Sequence, residues 1–160
     1  MFSCSEGEKG LYVVLCLDDM RVALALPCVE RVVRAVYLTP LPAAPEIVTG
    51  VVNVQGQIIP SVNMRRRFRL PEREIALTDQ LVMARTRHRS VVLVVDAVSD
   101  IIECTKSDIV EAENILPGLE YINGIVKLSE GLILIHNLDR FLSLEEEESL
   151  DRAMAACEGE

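Results

Sequence analysis

The sequence predicts a mainly β fold in two small lobes, and three observations carry that prediction. Half of the 160 residues are hydrophobic, yet only 4% are aromatic and none is Trp. The core must therefore be built from Val, Ile, Leu and Ala, and the stiff β-branched members favour a pleated sheet. Short apolar runs are separated by polar or Gly-containing turns at hairpin spacing. The chain also resembles itself. A shift of 69 positions lays Leu26-Pro27-Cys28-Val29 on Val95-Asp96-Ala97-Val98 and Val32-Val33 on Ile101-Ile102. A shift of 74 lays Val48 to Val54 on Ile122 to Leu128, Gly50 on Gly124, Asn63-Met64 on Asn137-Leu138 and Arg66 on Arg140. The difference between the shifts is absorbed by a longer loop in the second half. This length suits one domain, or two lobes sharing one core. Repeated strand units of this size would each curl into a barrel, because closure removes exposed sheet edges.

The elements follow in order. Leu11 to Leu17 is a nearly unbroken apolar run, Asp18-Asp19-Met20 a turn, and Arg21 to Leu26 a second strand in which Val22, Leu24 and Leu26 alternate with Arg21, Ala23 and Ala25. Pro27 suits a strand end, since it lacks a ladder donor. Val29 to Val36 fits a strand or one helical turn equally. Thr39 to Pro45 holds three prolines and is an irregular loop. A second hairpin joins Val51 to Val54 and Gln57 to Val62 through Gln55-Gly56. Asn63 to Leu70 is expected to be a short helix ended by Pro71. A third hairpin pairs Gln80 to Ala84 with Ser90 to Val95. Ile101 to Val110 is mixed, and Pro117-Gly118 marks a turn. A fourth hairpin joins Ile125 to Leu128 and Leu132 to Asn137 through Ser129-Glu130-Gly131. A terminal helix is expected from about Asp139 to Ala156, with Phe141, Leu142, Leu144, Leu150 and Met154 on its apolar side.

Charge and cysteine usage narrow the function. The net charge is −9, and Glu145 to Glu160 alone carries −6 of it, from seven acids and one base. An acidic body argues against general nucleic-acid binding, which needs a basic surface. The five cysteines (Cys4, Cys16, Cys28, Cys104, Cys157) form no Cys-x-x-Cys pair and read as reduced thiols of a cytoplasmic protein. The first ten residues lack the pattern of a signal peptide, and no apolar run approaches the ~20 residues of a membrane span.

Catalytic chemistry finds no footing. His88 lies in a basic hairpin turn and His136 on an apolar strand, where a lone histidine is ordinarily structural. No His/Cys/Asp grouping has metal-ligand spacing, and no Gly-rich loop enters a helix as a phosphate cradle. Ser61 has no elbow motif around it, and Asp96 ends a strand without an obvious carboxylate partner. No catalytic residue, metal site or cofactor is expected. Arg65-Arg66-Arg67-Phe68-Arg69 reads as a solvated helix turned inward at Phe68, with a nucleic-acid site as the alternative. Arg85 to Arg89 reads as a soluble hairpin tip. Either stretch is placed to touch an acidic partner protein.

The second hairpin carries a resemblance. Gly50-Val51-Val52-Asn53-Val54-Gln55-Gly56-Gln57-Ile58-Ile59-Pro60-Ser61-Val62-Asn63-Met64-Arg65 is similar to the signature of the CheW-type chemotaxis coupling proteins. Ala25-Leu26-Pro27, Leu38 to Pro42, Val94 to Val98, Tyr121 to Ile125 and Leu132 to Ile135 agree with that family in order, so the likeness spans about Leu11 to Leu142. It implies two five-stranded SH3-like barrels sharing a hydrophobic core, with a pseudo-repeat of about 11–70 and 80–142. Residues 1–10 would be a tail and 143–160 an acidic C-terminal helix or tail. It further implies a cytoplasmic adaptor with no enzymatic activity and no cofactor. Its partners would be the cytoplasmic tip of a methyl-accepting chemoreceptor and the regulatory domain of a CheA-type histidine kinase, without nucleic acid and without membrane insertion. The partner-binding residues carried over are Val29, Arg31, Val33, Gly50, Val52, Gln55, Gly56 and Ile59.

The chain departs from the signature in charge. Gln55 replaces its arginine, Asn63 its aspartate, and a glutamate common in the family falls on Arg31. The acid and the arginine resemble a salt-bridged pair, and both have changed together, so no lone carboxylate is stranded. The surface has exchanged a negative site for a positive one. Because charge complementarity governs partner choice, the expectation is a divergent chemosensory pathway, or a receptor and kinase with compensating charges.

Overall fold

The computed structural model describes residues 10–111, 122–128 and 131–158. Eleven strands are present among them: β1 (Gly10–Leu17), β2 (Met20–Ala25), β3 (Val29–Arg34), β4 (Val48–Val54), β5 (Gln57–Val62), β6 (Gln80–Arg85), β7 (Ser90–Val95), β8 (Ala97–Cys104), β9 (Ile109–Glu111), β10 (Ile122–Leu128) and β11 (Gly131–His136). Two α-helices accompany them, α1 (Met64–Arg67) and α2 (Leu144–Glu158). The fold is mainly β, as expected.

The strands form two sheets, ordered β8-β1-β2-β11-β10-β9 and β3-β6-β7-β5-β4. Each is built of antiparallel hairpins joined by one parallel contact, β2 with β11 in the first and β5 with β7 in the second. The hairpin β1–β2 thus corresponds to β6–β7, and β10–β11 to β4–β5. The third strand of each set crosses over: β3 pairs with β6 in the second sheet, and β8 pairs with β1 in the first. A bridge between Thr39 and Val51 brings the chain after β3 onto β4 and curls the second sheet closed.

Burial explains the long apolar runs. In β1, Val13, Leu15 and Leu17 enter a core shared by both sheets, while Tyr12 and Val14 enter the interior of the first lobe. In β7, Val91, Leu93 and Val95 face the shared core, while Val92 and Val94 face the interior of the second lobe. Strands covered on both faces read as continuous hydrophobic stretches rather than as alternation. Every such side chain removed from water contributes on the order of 1.5–3 kcal/mol.

Several elements differ from expectation. Val29 to Val36 resolves as a strand ending at Arg34. Ile101 to Val110 divides into the end of β8, a single 3-10 turn capped by Thr105 and Asp108, and the start of β9. The helix after β5 spans only Met64–Arg67, because Asn63 caps its start through the Arg66 amide and Arg69 takes a positive φ. The terminal helix begins at Leu144, since Leu138–Arg140 is a 3-10 turn. The tail at 1–9, the Pro117-Gly118 turn and Ser129-Glu130 lie outside the described residues.

Candidate functional site

The residues expected to bind a partner separate into three positions. Gln55 and Gly56 form the tip of the β4–β5 hairpin, with Val54 paired to Gln57 behind them. Both have positive φ, 53° and 86°, the conformation of the two-residue turn that matches strand twist. Asn53 Oδ1 accepts the Gly56 amide at 2.9 Å and fixes the turn. The Gln55 and Gly56 positions are exposed. Gly50 is buried, and a Cβ there would stand 2.6 Å from the Thr39 carbonyl oxygen, so glycine is what lets the loop after β3 pack onto β4.

Val33, Val52 and Ile59 come together inside the second lobe with Leu81, Met83 and Val92. Val52 and Ile59 are only 5% and 1% exposed, which corrects their reading as contact residues. Their side chains support the surface from within, because alternation along β4 and β5 turns them inward. Val29 packs half-buried against the shared core.

Arg31 stands opposite Met83 on β3, exposed, and has no ion-pair partner among the described residues. Arg34, three residues on, is equally exposed and likewise has no partner among the described residues. β3 ends its sheet and pairs only with β6. The Ala35 amide donates to the Asp79 carbonyl at 3.1 Å, which sets the chain after β3 alongside the stretch ending at Asp79. This border exposes Val32, Val36, Tyr37 and Leu77, the last two at 84% and 91%. Sequence reasoning missed these four. A Val within a strand pattern carries no sign of which face it takes, and Tyr37 and Leu77 lie in loops where no periodicity speaks.

Beside this border the lobes are tied by ion pairs. Arg65, expected to be solvated, is buried. It donates two hydrogen bonds to the Asp18 carboxylate, each 2.9 Å, and one to Asp96 at 2.7 Å. Arg73 grips the buried Asp79 at 2.7 and 2.8 Å and reaches Asp96 at 2.7 Å. The hydrogen bond from Arg65 holds the Asp18 carboxyl below its usual range, and that from Arg73 does the same for Asp79. Burial alone would raise Asp96; the Asp18 amide and the two guanidinium groups outweigh it and lower it. Arg66 pairs with Glu46 and Glu72, and Arg67 with Glu146. Three of the four arginines in the run are thereby engaged within the chain.

His136, expected to be structural, is buried between the rings of Phe68 and Phe141, with centroids 5.5 and 4.9 Å away. Burial, and then the positive charge of Arg67, push its pKa down to about 3, so it is neutral at physiological pH. Among the described residues no group of His, Cys, Asp and Glu is arranged to hold a metal. No described helix is long and apolar enough to cross a membrane.

Two rigid lobes, a border of apolar and cationic side chains, and a polar tie between the lobes define a protein-docking module. The CheW-like domain model matches residues 11–146, and the chain belongs to that family. It is 32% identical over 147 residues to the chemotaxis protein CheW of Rhizobium meliloti, covering 91% of this chain and 94% of that protein. It is 24% identical over 151 residues to CheW of Treponema pallidum, covering 91% and 89%. The crystal structure of the scaffolding protein TtCheW from Thermoanaerobacter tengcongensis matches its fold with a TM-score of 0.78, at 24% identity over 87% of this chain and 96% of that one. The chain is a chemotaxis adaptor of the CheW-like family.

Proposed function

We propose that this adaptor joins the cytoplasmic tip of a methyl-accepting chemoreceptor to the regulatory domain of a CheA-type histidine kinase. It works in the cytoplasm, catalyses no reaction and needs no cofactor. Residues 11–142 form the docking body, followed by the acidic C-terminal segment 143–160. Docking uses the border of β3 and the β4–β5 hairpin: Val29 and Arg31 on one element, braced from within by Val33, and Gln55 and Gly56 at the tip of the other. Gly50, Val52 and Ile59 hold that surface in shape.

The observation that carries this reading is the β3 border, where unpaired Arg31 and Arg34 lie among exposed Val32, Val36 and Tyr37. An apolar patch on a rigid sheet offers burial at a low ordering cost. The unpaired cations then select the partner, favouring an acidic face and rejecting a basic one. Calorimetric titration against a receptor signalling fragment and a kinase regulatory fragment tests the proposal. Both are expected to bind, and Arg31→Glu to weaken one of them about tenfold, the loss of one well-placed charge contact. Absence of binding to either fragment, separately and together, would overturn it. Ordinary affinity for a standard motility receptor and its kinase would overturn the charge-exchange argument alone.

A further inference from the structure

The acidic helix α2 does not float in solvent. Its first half is gripped by the basic tip of the β6–β7 hairpin, where Arg89 pairs with Asp151 and His88 Nε2 lies 3.4 Å from Glu147. Arg67 holds Glu146 at 2.5 Å while stacking over Phe141, and the Arg87 amide donates to Asp139 at 2.8 Å, just before the helix. Among its described side chains only Leu150, Ala153 and Met154 are buried, against Leu41 and Val51 with Val48 and Ile58 nearby. Beneath its first turns the packing leaves a gap of only about 10 Å³, walled by Val62, Val91, Phe141 and Leu142. The helix is thus seated by few apolar side chains and by charges that salt screens. An open groove of about 430 Å³ continues from Met154 and Ile58 to Gly56 at the hairpin tip, past Arg85, which has no partner among the described residues.

We propose that the apolar strip of Leu41, Val51 and Ile58, rimmed by Arg67, His88 and Arg89, is a second docking surface for an acidic amphipathic helix of a partner protein, and that α2 is its occupant in the resting chain. α2 itself shows the chemistry that fits: carboxylates at positions 146, 147 and 151 and apolar side chains at 150 and 154. A partner helix of that pattern displaces it, and the freed surface extends the proposed docking hairpin through the groove at Gly56. The cis helix has the advantage of tethering, so the incoming helix must overcome a high effective concentration.

The test uses the full chain and a labelled synthetic peptide of residues 144–158, and does not depend on the receptor and kinase reading. Glu147→Lys with Asp151→Lys breaks the clasp from the helix side. This variant is expected to capture the peptide about tenfold more tightly than the parent chain does, the loss of two exposed pairs from the cis competitor. Adding His88→Glu and Arg89→Glu restores the clasp with reversed signs and removes the partners of the acidic peptide, so capture should fall to the parent level or below it. A peptide carrying Leu150→Lys should not be captured. Equal capture by parent and clasp-broken chains, or equal capture of the Leu150→Lys peptide, overturns the proposal. Hydrogen exchange on the unmodified chain gives a second measurement. Raising salt to about 0.5 M should speed exchange in α2 while β6 and β7 stay protected, and unchanged protection of α2 overturns it.

Discussion

Lowering the pH from 7 to 5 should weaken the fold through His136. In the unfolded chain an imidazole takes up a proton below about pH 6.5. The buried ring, pushed down to about 3 by desolvation and by Arg67, does not. Between those values the unfolded state binds one proton more than the folded state, so stability falls as pH falls. One proton corresponds to about 1.4 kcal/mol per pH unit, and the flattening near 6.5 leaves about 2 kcal/mol for the step from 7 to 5. The carboxylates held low by Arg65, Arg67 and Arg73 lose their contribution only nearer pH 4 and contribute little over this interval. His136→Leu keeps a similar volume between Phe68 and Phe141 and cannot titrate. Urea unfolding of both proteins at pH 7, 6 and 5 should show the parent midpoint dropping by about 1 M more than that of the variant, given a slope of about 2 kcal/mol per M. Equal pH slopes for the two, or an imidazole NMR titration placing His136 near its ordinary value, would refute the reasoning.

Other outcomes follow from single contacts. Arg65→Met removes the buried group joining Asp18 to Asp96 and should cost about 2 kcal/mol, lowering the melting temperature by roughly 5 °C in thermal unfolding. Gly50→Ala places a Cβ 2.6 Å from a backbone oxygen and should cost about 2 kcal/mol or more by urea denaturation, with strand content retained in circular dichroism. Arg31→Glu, on the open border, should shift stability by less than about 0.5 kcal/mol, so any change it makes in titration is a change in docking.

The hairpins were legible because their signals are local: alternating Val22 and Leu24, or a Gln-Gly pair between apolar runs. The stretches Leu11 to Leu17 and Val91 to Val95 announced strands without announcing that both faces are covered, since a continuous run looks the same whichever side is core. Arg65 and Arg67 were misread as solvated because their acids lie far away in the chain, at Asp18, Asp96 and Glu146. No periodicity links such positions; only the meeting of the lobes does. The same limit applied to the candidate site. Val52 and Ile59 sit in a recognisable signature, yet the parity of β4 and β5 turns them inward, while Tyr37 and Leu77, in unremarked loops, stand in solvent.

The exchange of β3 and β8 has a consequence for how the molecule holds together. Neither half of the polypeptide owns a complete barrel, so a cut in the loop between α1 and β6 would leave each fragment short of a wall. The two pieces, mixed, should reassemble by trading the hairpins β1–β2 and β6–β7, whereas either piece alone should remain unstructured. Whatever pulls on one lobe is therefore felt by the other through continuous chain.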